Sequence, residues 1–208
     1  IGEWAAIATA FLWTCSILCW PSAGKQIGSL AVGFWRMILA TGYLVVYLAL
    51  VRGSIYPTEI ELRGQVLLGV SGFFGFCFGD ICLFRSLLVL GPRITLLFQT
   101  LAPPLAAMLS WFYLGEPLGG MQWAAMAVTL SGVAWVVLER SDLPKASAFV
   151  PQWRVGVPLA VLAAICQALG AVLGKQGIGN HDAVAATMVR VLAGTAGYCV
   201  FITLVRRW

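Results

Sequence analysis

Seven stretches of this chain are long and apolar enough to cross a lipid bilayer, which leaves very few folds open. They run over about 4–22, 30–51, 62–89, 93–115, 119–138, 155–174 and 183–205. Crossing about 30 Å of hydrocarbon takes about 20 helical residues. Inside that layer every backbone N–H and C=O must be satisfied within the protein, so a span is a helix or a closed barrel strand. The stretches are far longer than barrel strands and lack two-residue alternation. The expected fold is all-α, a polytopic helical bundle, and 208 residues leave no room for an extramembrane domain.

Composition narrows the function. The chain is 61% hydrophobic and 10% charged, whereas a soluble domain carries about 25% charged residues. Its net charge of +5 comes mostly from Lys and Arg flanking the apolar runs. They are scattered and form no stripe, so nucleic acid is excluded as a partner. The lipid bilayer is the expected partner and the cell membrane the expected location, the cytoplasmic membrane if the source is bacterial. All six cysteines fall inside apolar runs with no CxxC pair. Cys15 and Cys19 share a helical face, but packing is the expected role of all six. His181 lies alone in a loop, and the spans hold no serine–histidine, HExxH or paired-aspartate motif. No catalytic residue, metal or cofactor is expected.

Local signals predict the breaks. Pro21 with Ser22-Ala23-Gly24 is expected to end the first helix, and Gly53-Ser54 before Pro57 the second. Thr58 and Glu61 have the spacing of a capping box opening the third. Gly91-Pro92 predicts a tight third-to-fourth turn. Glu116-Pro117 is expected to close the fourth helix, since the residue before proline is pushed out of the α region. Pro103-Pro104 predicts a kink in mid-span. Residues 139–154 read as a linker.

The chain then echoes itself. Gly-Lys-Gln closes an apolar run at 24–26 and again at 174–176. At an offset of 154, residues 36–52 align without gaps on 190–206, with Arg36, Thr41, Val46, Leu50, Val51 and Arg52 facing identical residues. The first and sixth spans are five crossings apart, an odd number, so equivalent helices run in opposite directions. Inverted repeats of this kind characterise secondary transporters, whose substrate site lies near the midplane.

The stretch from Gly91 to Arg140 resembles the second part of an EamA domain, the repeat unit of the drug/metabolite transporter superfamily. The resemblance rests on a span with a central proline (Thr95 to Pro103), then Leu114-Gly115-Glu116. A short turn at Gly119-Gly120-Met121-Gln122-Trp123 and the span with Leu130-Ser131-Gly132-Val133 complete it. Leu12-Trp13 to Lys25 looks like the family's first span, and Arg36 sits like an arginine common in its second. The resemblance implies a five-helix unit over 1–140, a linker over 141–154, and the first two helices of an inverted second unit over 155–208. Seven of ten spans are then present, so the chain reads as a piece of a longer protein. Such a piece alone is expected to insert without performing coupled transport, unless it assembles as a homodimer.

The expected activity is movement of a small organic metabolite or drug-like solute by alternating access, with protons as a coupling ion to test. A seven-helix receptor is the alternative, and it explains neither the echo nor the leucine-glycine-glutamate block. The orientation signals oppose each other. Lys and Arg counts by loop place the N-terminus outside, whereas the resemblance implies inside.

Asp80 is the most informative candidate, because an aspartate within a span costs about 2.5–3.5 kcal/mol on insertion scales. Arg85 follows five residues later, about 140° round the helix. Asp80 is therefore expected to face the bundle and pair with another helix or water, while Arg85 reaches the surface. It serves either a cavity or proton-handling role or a structural polar contact. Arg36 and Arg190 are either interfacial arginines or a symmetric pair attracting an anionic group. Lys25 and Lys175 divide in the same way. Trp13 is central enough to stack on a substrate. Gln99 and Gln167 are expected to make interhelical hydrogen bonds or line the cavity. Pro103 and Glu116 are candidates for gating or structure. The cavity itself is expected between spans 1, 3, 4 and 6.

Small-residue stripes complete the reading. Ser71, Gly75 and Gly79 recur every four residues, as do Gly170 and Gly174, and Ala193 and Gly197. They predict close helix–helix packing.

Overall fold

A computed structural model describes residues 2–53, 60–138 and 152–205. The described residues form helices and no strand: α1 (Gly2–Ile27), α2 (Ser29–Arg52), α3 (Leu62–Gly72), α4 (Gly79–Leu90), α5 (Pro92–Gln99), α6 (Ala102–Leu114), α7 (Gly120–Leu138), α8 (Trp153–Ile178) and α9 (Ala183–Val205). Between α3 and α4 the chain stays helical through a π-helical segment, Phe73–Phe78. Six of the resulting runs are long and apolar enough to cross a membrane: Ile7–Ile27, Ser29–Val51, Leu62–Leu90, Pro92–Leu114, Trp153–Ile178 and Ala183–Val205.

Several helix ends differ from the sequence expectation. α1 continues through Pro21 to Ile27. Pro21 withdraws only the N–H that would have bonded to the Ile17 carbonyl, a loss that membrane helices tolerate. α8 likewise runs beyond 174, so both Gly-Lys-Gln phrases lie inside helical last turns. The fourth span ends on Gly115, whose φ of 70° is left-handed. That conformation costs glycine nothing, and it stops the helix before Pro117. Gly91, at φ 86°, makes the expected tight turn, and Pro92 opens α5.

The expected capping box falls partly outside the described residues. α3 opens at Leu62 with Glu61 as its N-cap and no side-chain cap bond. Glu61 thus stands before the helix, where a capping box needs it inside the first turn. Thr58 lies outside the described residues. Gln65 Nε2 instead donates to the Ile60 carbonyl at 2.9 Å.

The kink near Pro103-Pro104 is a full break between α5 and α6 at Thr100-Leu101. Neither proline can donate to the preceding turn. The Leu101 N–H bonds back three residues to Phe98 at 3.1 Å, tightening the chain there.

The centre of the bundle is the third span lying antiparallel on α8. Contacts run from Gly64 against Gly177, through Ser71 and Gly75 against Gly170, to Gly79 against Cys166 and Leu90 against Gly156. A methyl added at Gly170 would sit 3.0 Å from the Gly75 Cα and 3.1 Å from the Ser71 carbonyl. The small-residue stripes therefore meet backbone to backbone, and Ser71 Oγ donates to the Gly170 carbonyl at 2.5 Å. This contact holds spans 3 and 6 directly against each other. On the other side of the third span Gly197 of α9 fits against Phe73 and Cys77, and α2 packs on α9 around Met37, Val191 and Tyr198.

These directions bear on α7. The third span runs opposite to α8, and the fourth span opposite to the third. α6 thus ends on the face of the membrane opposite to the one where α8 begins. Between them α7 is the one described helix, apolar and 19 residues long.

Candidate functional site

Asp80 stands two residues past the π-helical segment, in the first turn of α4, and is 2% exposed. A π turn inserts an extra residue and rotates the helix beyond it, and such turns are frequent at functional sites. Arg36 of α2 donates an Nη2 hydrogen bond to Asp80 Oδ2 and forms a salt bridge with it. Arg85, the nearer cation in sequence, is exposed and turned away. The pairing is interhelical because residues five apart cannot face each other on one helix.

Two neighbouring aromatic rings face the guanidinium together. Its carbon lies 5.5 Å from the Trp20 ring centre and 5.6 Å from that of Phe84. Trp20 meets Phe84 edge to face at 4.8 Å and Trp13 at 5.4 Å. Removing one partner of a buried pair typically costs 3–5 kcal/mol, because the other charge is left uncompensated. The Arg36–Asp80 pair therefore joins spans 2 and 3 in a single obligatory register.

Beside this pair a groove of about 340 Å³ opens along α1, lined by Thr9, Leu12, Trp13, Ser16, Trp20 and Arg36. The open space thus lies against spans 1 and 2, with span 3 behind. Arg36 forms part of its wall with 23% of its side chain exposed. Its Nε is buried with no hydrogen-bond partner.

Arg190, the counterpart of Arg36 at the repeat offset, is in different company. Its guanidinium lies 4.7 Å over the Phe76 ring, beside Gly75 and Gly174. Among the described residues no carboxylate pairs with it. Lys175 and Glu116 come together: Lys175 Nζ reaches both Glu116 oxygens, at 2.6 and 2.8 Å. Lys25 is exposed and has no ion-pair partner among the described residues.

The glutamines depart from expectation. Gln99 Oε1 is buried without a partner, and the half-buried Gln167 makes no side-chain hydrogen bond among the described residues. Gln99 occupies the last position of α5, beside the break, and Gln167 lies on α8. Neither reaches the groove. Pro103 is exposed beside the break in span 4. Of the candidates, then, Arg36, Asp80 and Trp13 share one site, Lys175 and Glu116 a second, and the others stand apart.

Sequence reasoning did not single out Trp20, Phe84 or Tyr198 as neighbours of Arg36, nor the contact between Thr41 and Thr195. Those two hydroxyls lie 3.1 Å apart and are separated by 154 residues, the repeat offset itself. That coincidence was readable as alignment but not as contact.

Apolar helices that cross the bilayer repeatedly around an internal ion pair define a polytopic α-helical membrane protein. The model of the EamA-like transporter family matches residues 1–138, and the chain belongs to that family. It is accordingly a multi-pass membrane transporter of the drug/metabolite superfamily. No curated protein and no solved structure matches the chain.

Proposed function

We propose that the protein moves a small organic solute across the cell membrane by alternating access between two inverted units. The first unit is the five-helix block 1–140, joined by 141–154 to helices 155–208 that begin the pattern again. The observation that carries this reading is the Thr41–Thr195 hydrogen bond. Equivalent residues of two units touch each other only near the two-fold axis that relates the units. A contact at the alignment offset is what an axis passing between α2 and α9 requires.

Two further contacts support the same reading. Gly33 lies against the Tyr198 hydroxyl and Gly194 against the Met37 sulfur, an antiparallel run. A path of seven crossings would bring Lys25 and Lys175 to opposite faces, which supports inversion. The groove at Arg36, Trp13 and Trp20 is the substrate entrance in this reading, and Asp80 the proton-handling group.

The test is flux. Inverted and right-side-out vesicles containing the protein are loaded with a mixture of metabolites, and depletion is followed against empty vesicles. Saturable, self-competing loss of at least one small organic solute is expected. Depletion no faster than in empty vesicles across the whole mixture would overturn the reading.

A further inference from the structure

The Arg36–Asp80 pair raises a question of charge. A guanidinium presents five N–H groups, and Nη2 alone hydrogen-bonds to the described protein, to Asp80. Nε is buried and unpaired. Nε lies beneath the surface, but the side chain is 23% exposed along the groove wall, and in hydrocarbon an unmet donor on that open side calls for an acceptor. The groove offers none of full charge: Leu12, Trp13 and Trp20 are apolar or aromatic, and Ser16 already donates its hydroxyl to the Leu12 carbonyl at 2.8 Å.

We infer that the groove is a site for an aromatic or flat apolar carboxylate, whose anionic end pairs with Arg36 while Asp80 takes up one proton. The inference rests on the transport reading and names its substrate class. Trp13 and Trp20 meet edge to face and form the apolar wall for the ring of the solute. An organic cation is disfavoured, because the charge nearest that wall is itself positive.

The proton follows from electrostatics. One guanidinium cannot offset two carboxylates away from water, so as the solute anion arrives Asp80 becomes a neutral acid. In balance, the solute carboxylate and one proton enter the site together, the proton resides on an Asp80 oxygen, and no bond to carbon changes. The bound complex carries the same net charge as the empty site, and movement of the pair is electroneutral.

The groups around Asp80 leave it as the one that titrates. On α2 the charged neighbour is Arg36. On α9 the Tyr198 hydroxyl is buried without a hydrogen-bond partner, and on α8 Cys166 lies against Gly79. Cys77 and Cys82 lie along its own span, α1 contributes Trp20, and α5 contributes Thr95, bonded to Ser86 at 3.0 Å. Asp80 is the only carboxyl in this set.

The experiment is titration calorimetry on the protein in nanodiscs, with indole-3-acetate as probe and indole-3-acetamide and tryptamine as neutral and cationic controls. The acetate should bind at least tenfold more tightly than either control. Its affinity should fall about tenfold for each unit rise in pH between 6 and 8, the slope for one linked proton. Heats in two buffers of different ionisation enthalpy should report one proton taken up per anion. Asp80→Asn should bind with a flat pH profile and no proton uptake, and Arg36→Gln should not bind.

Tryptamine binding as tightly as the acetate, or wild-type binding that is flat with pH and takes up no proton, would overturn the inference. The proton count needs no variant, so it stands even where Arg36→Gln fails to fold. Flux separates the two claims. Proton-linked binding without flux would sink the transport reading and leave the site, whereas flux of other solutes without carboxylate binding would do the reverse.

Discussion

Thr41 on α2 and Thr195 on α9 share a 3.1 Å contact between hydroxyls 154 residues apart. Each hydroxyl also lies 2.8 Å from the carbonyl one turn back, Thr41 from Met37 and Thr195 from Val191. With one proton apiece, one hydroxyl donates across while the other donates to its own carbonyl, so the two residues have matching surroundings as a two-fold relation would have it. Interhelical hydrogen bonds in membranes average about 0.6 kcal/mol. Thr41→Val and Thr195→Val should each cost about that much, and the double variant should cost little more than either alone. Thermal unfolding in detergent checks the non-additivity; fully additive losses would show that the hydroxyls do not interact.

Asp80→Ala should destabilise the protein by about 3–5 kcal/mol, since it strands the Arg36 charge inside the bundle. Combining it with Arg36→Met should recover most of the loss, because both charges are then gone. Unfolding midpoints of the two single variants and the double variant check this. Asp80→Asn should leave membrane insertion intact while abolishing coupled transport, which fractionation and flux assays read separately.

Close packing of the third span predicts a contrast between two glycines three residues apart. A methyl on Gly72 would run into the Arg190 backbone, whereas one on Gly69 would reach the Ala193 methyl at 4.0 Å. Gly72→Ala should therefore cost about 1–3 kcal/mol through overpacking, and Gly69→Ala close to nothing. Expression level and melting temperature of the two variants, side by side, decide it.

The Lys175–Glu116 pair is exposed at both ends, 58% and 46%. Breaking it by Glu116→Gln should cost under about 1 kcal/mol. Its value is topological. Cysteines at 116 and 175 should crosslink readily, and an impermeant maleimide should label Lys25→Cys and Lys175→Cys from opposite faces of the membrane. Labelling of both from one face would contradict the path of α1 to α8.

Much of this protein follows from its residues taken one segment at a time. Twenty apolar residues in a row must be a helix in hydrocarbon, and Gly91 and the Gly115 that precedes Glu116 stop those helices by their own backbone freedom. A carboxyl such as Asp80 in mid-span must find a partner, because water cannot reach it. Which partner it finds was not local information. The spans are apolar on nearly every face, so no polar stripe marks the buried side, and small residues such as Gly75 and Gly170 choose it by how closely two backbones can approach. That packing, with the extra rotation of the π-helical segment, brought Asp80 to Arg36 and left Arg85 outside. It closed spans 3 and 6 on each other and left a groove along α1. Periodicity fixes direction around one helix; the meeting of two helices is decided only when they pack.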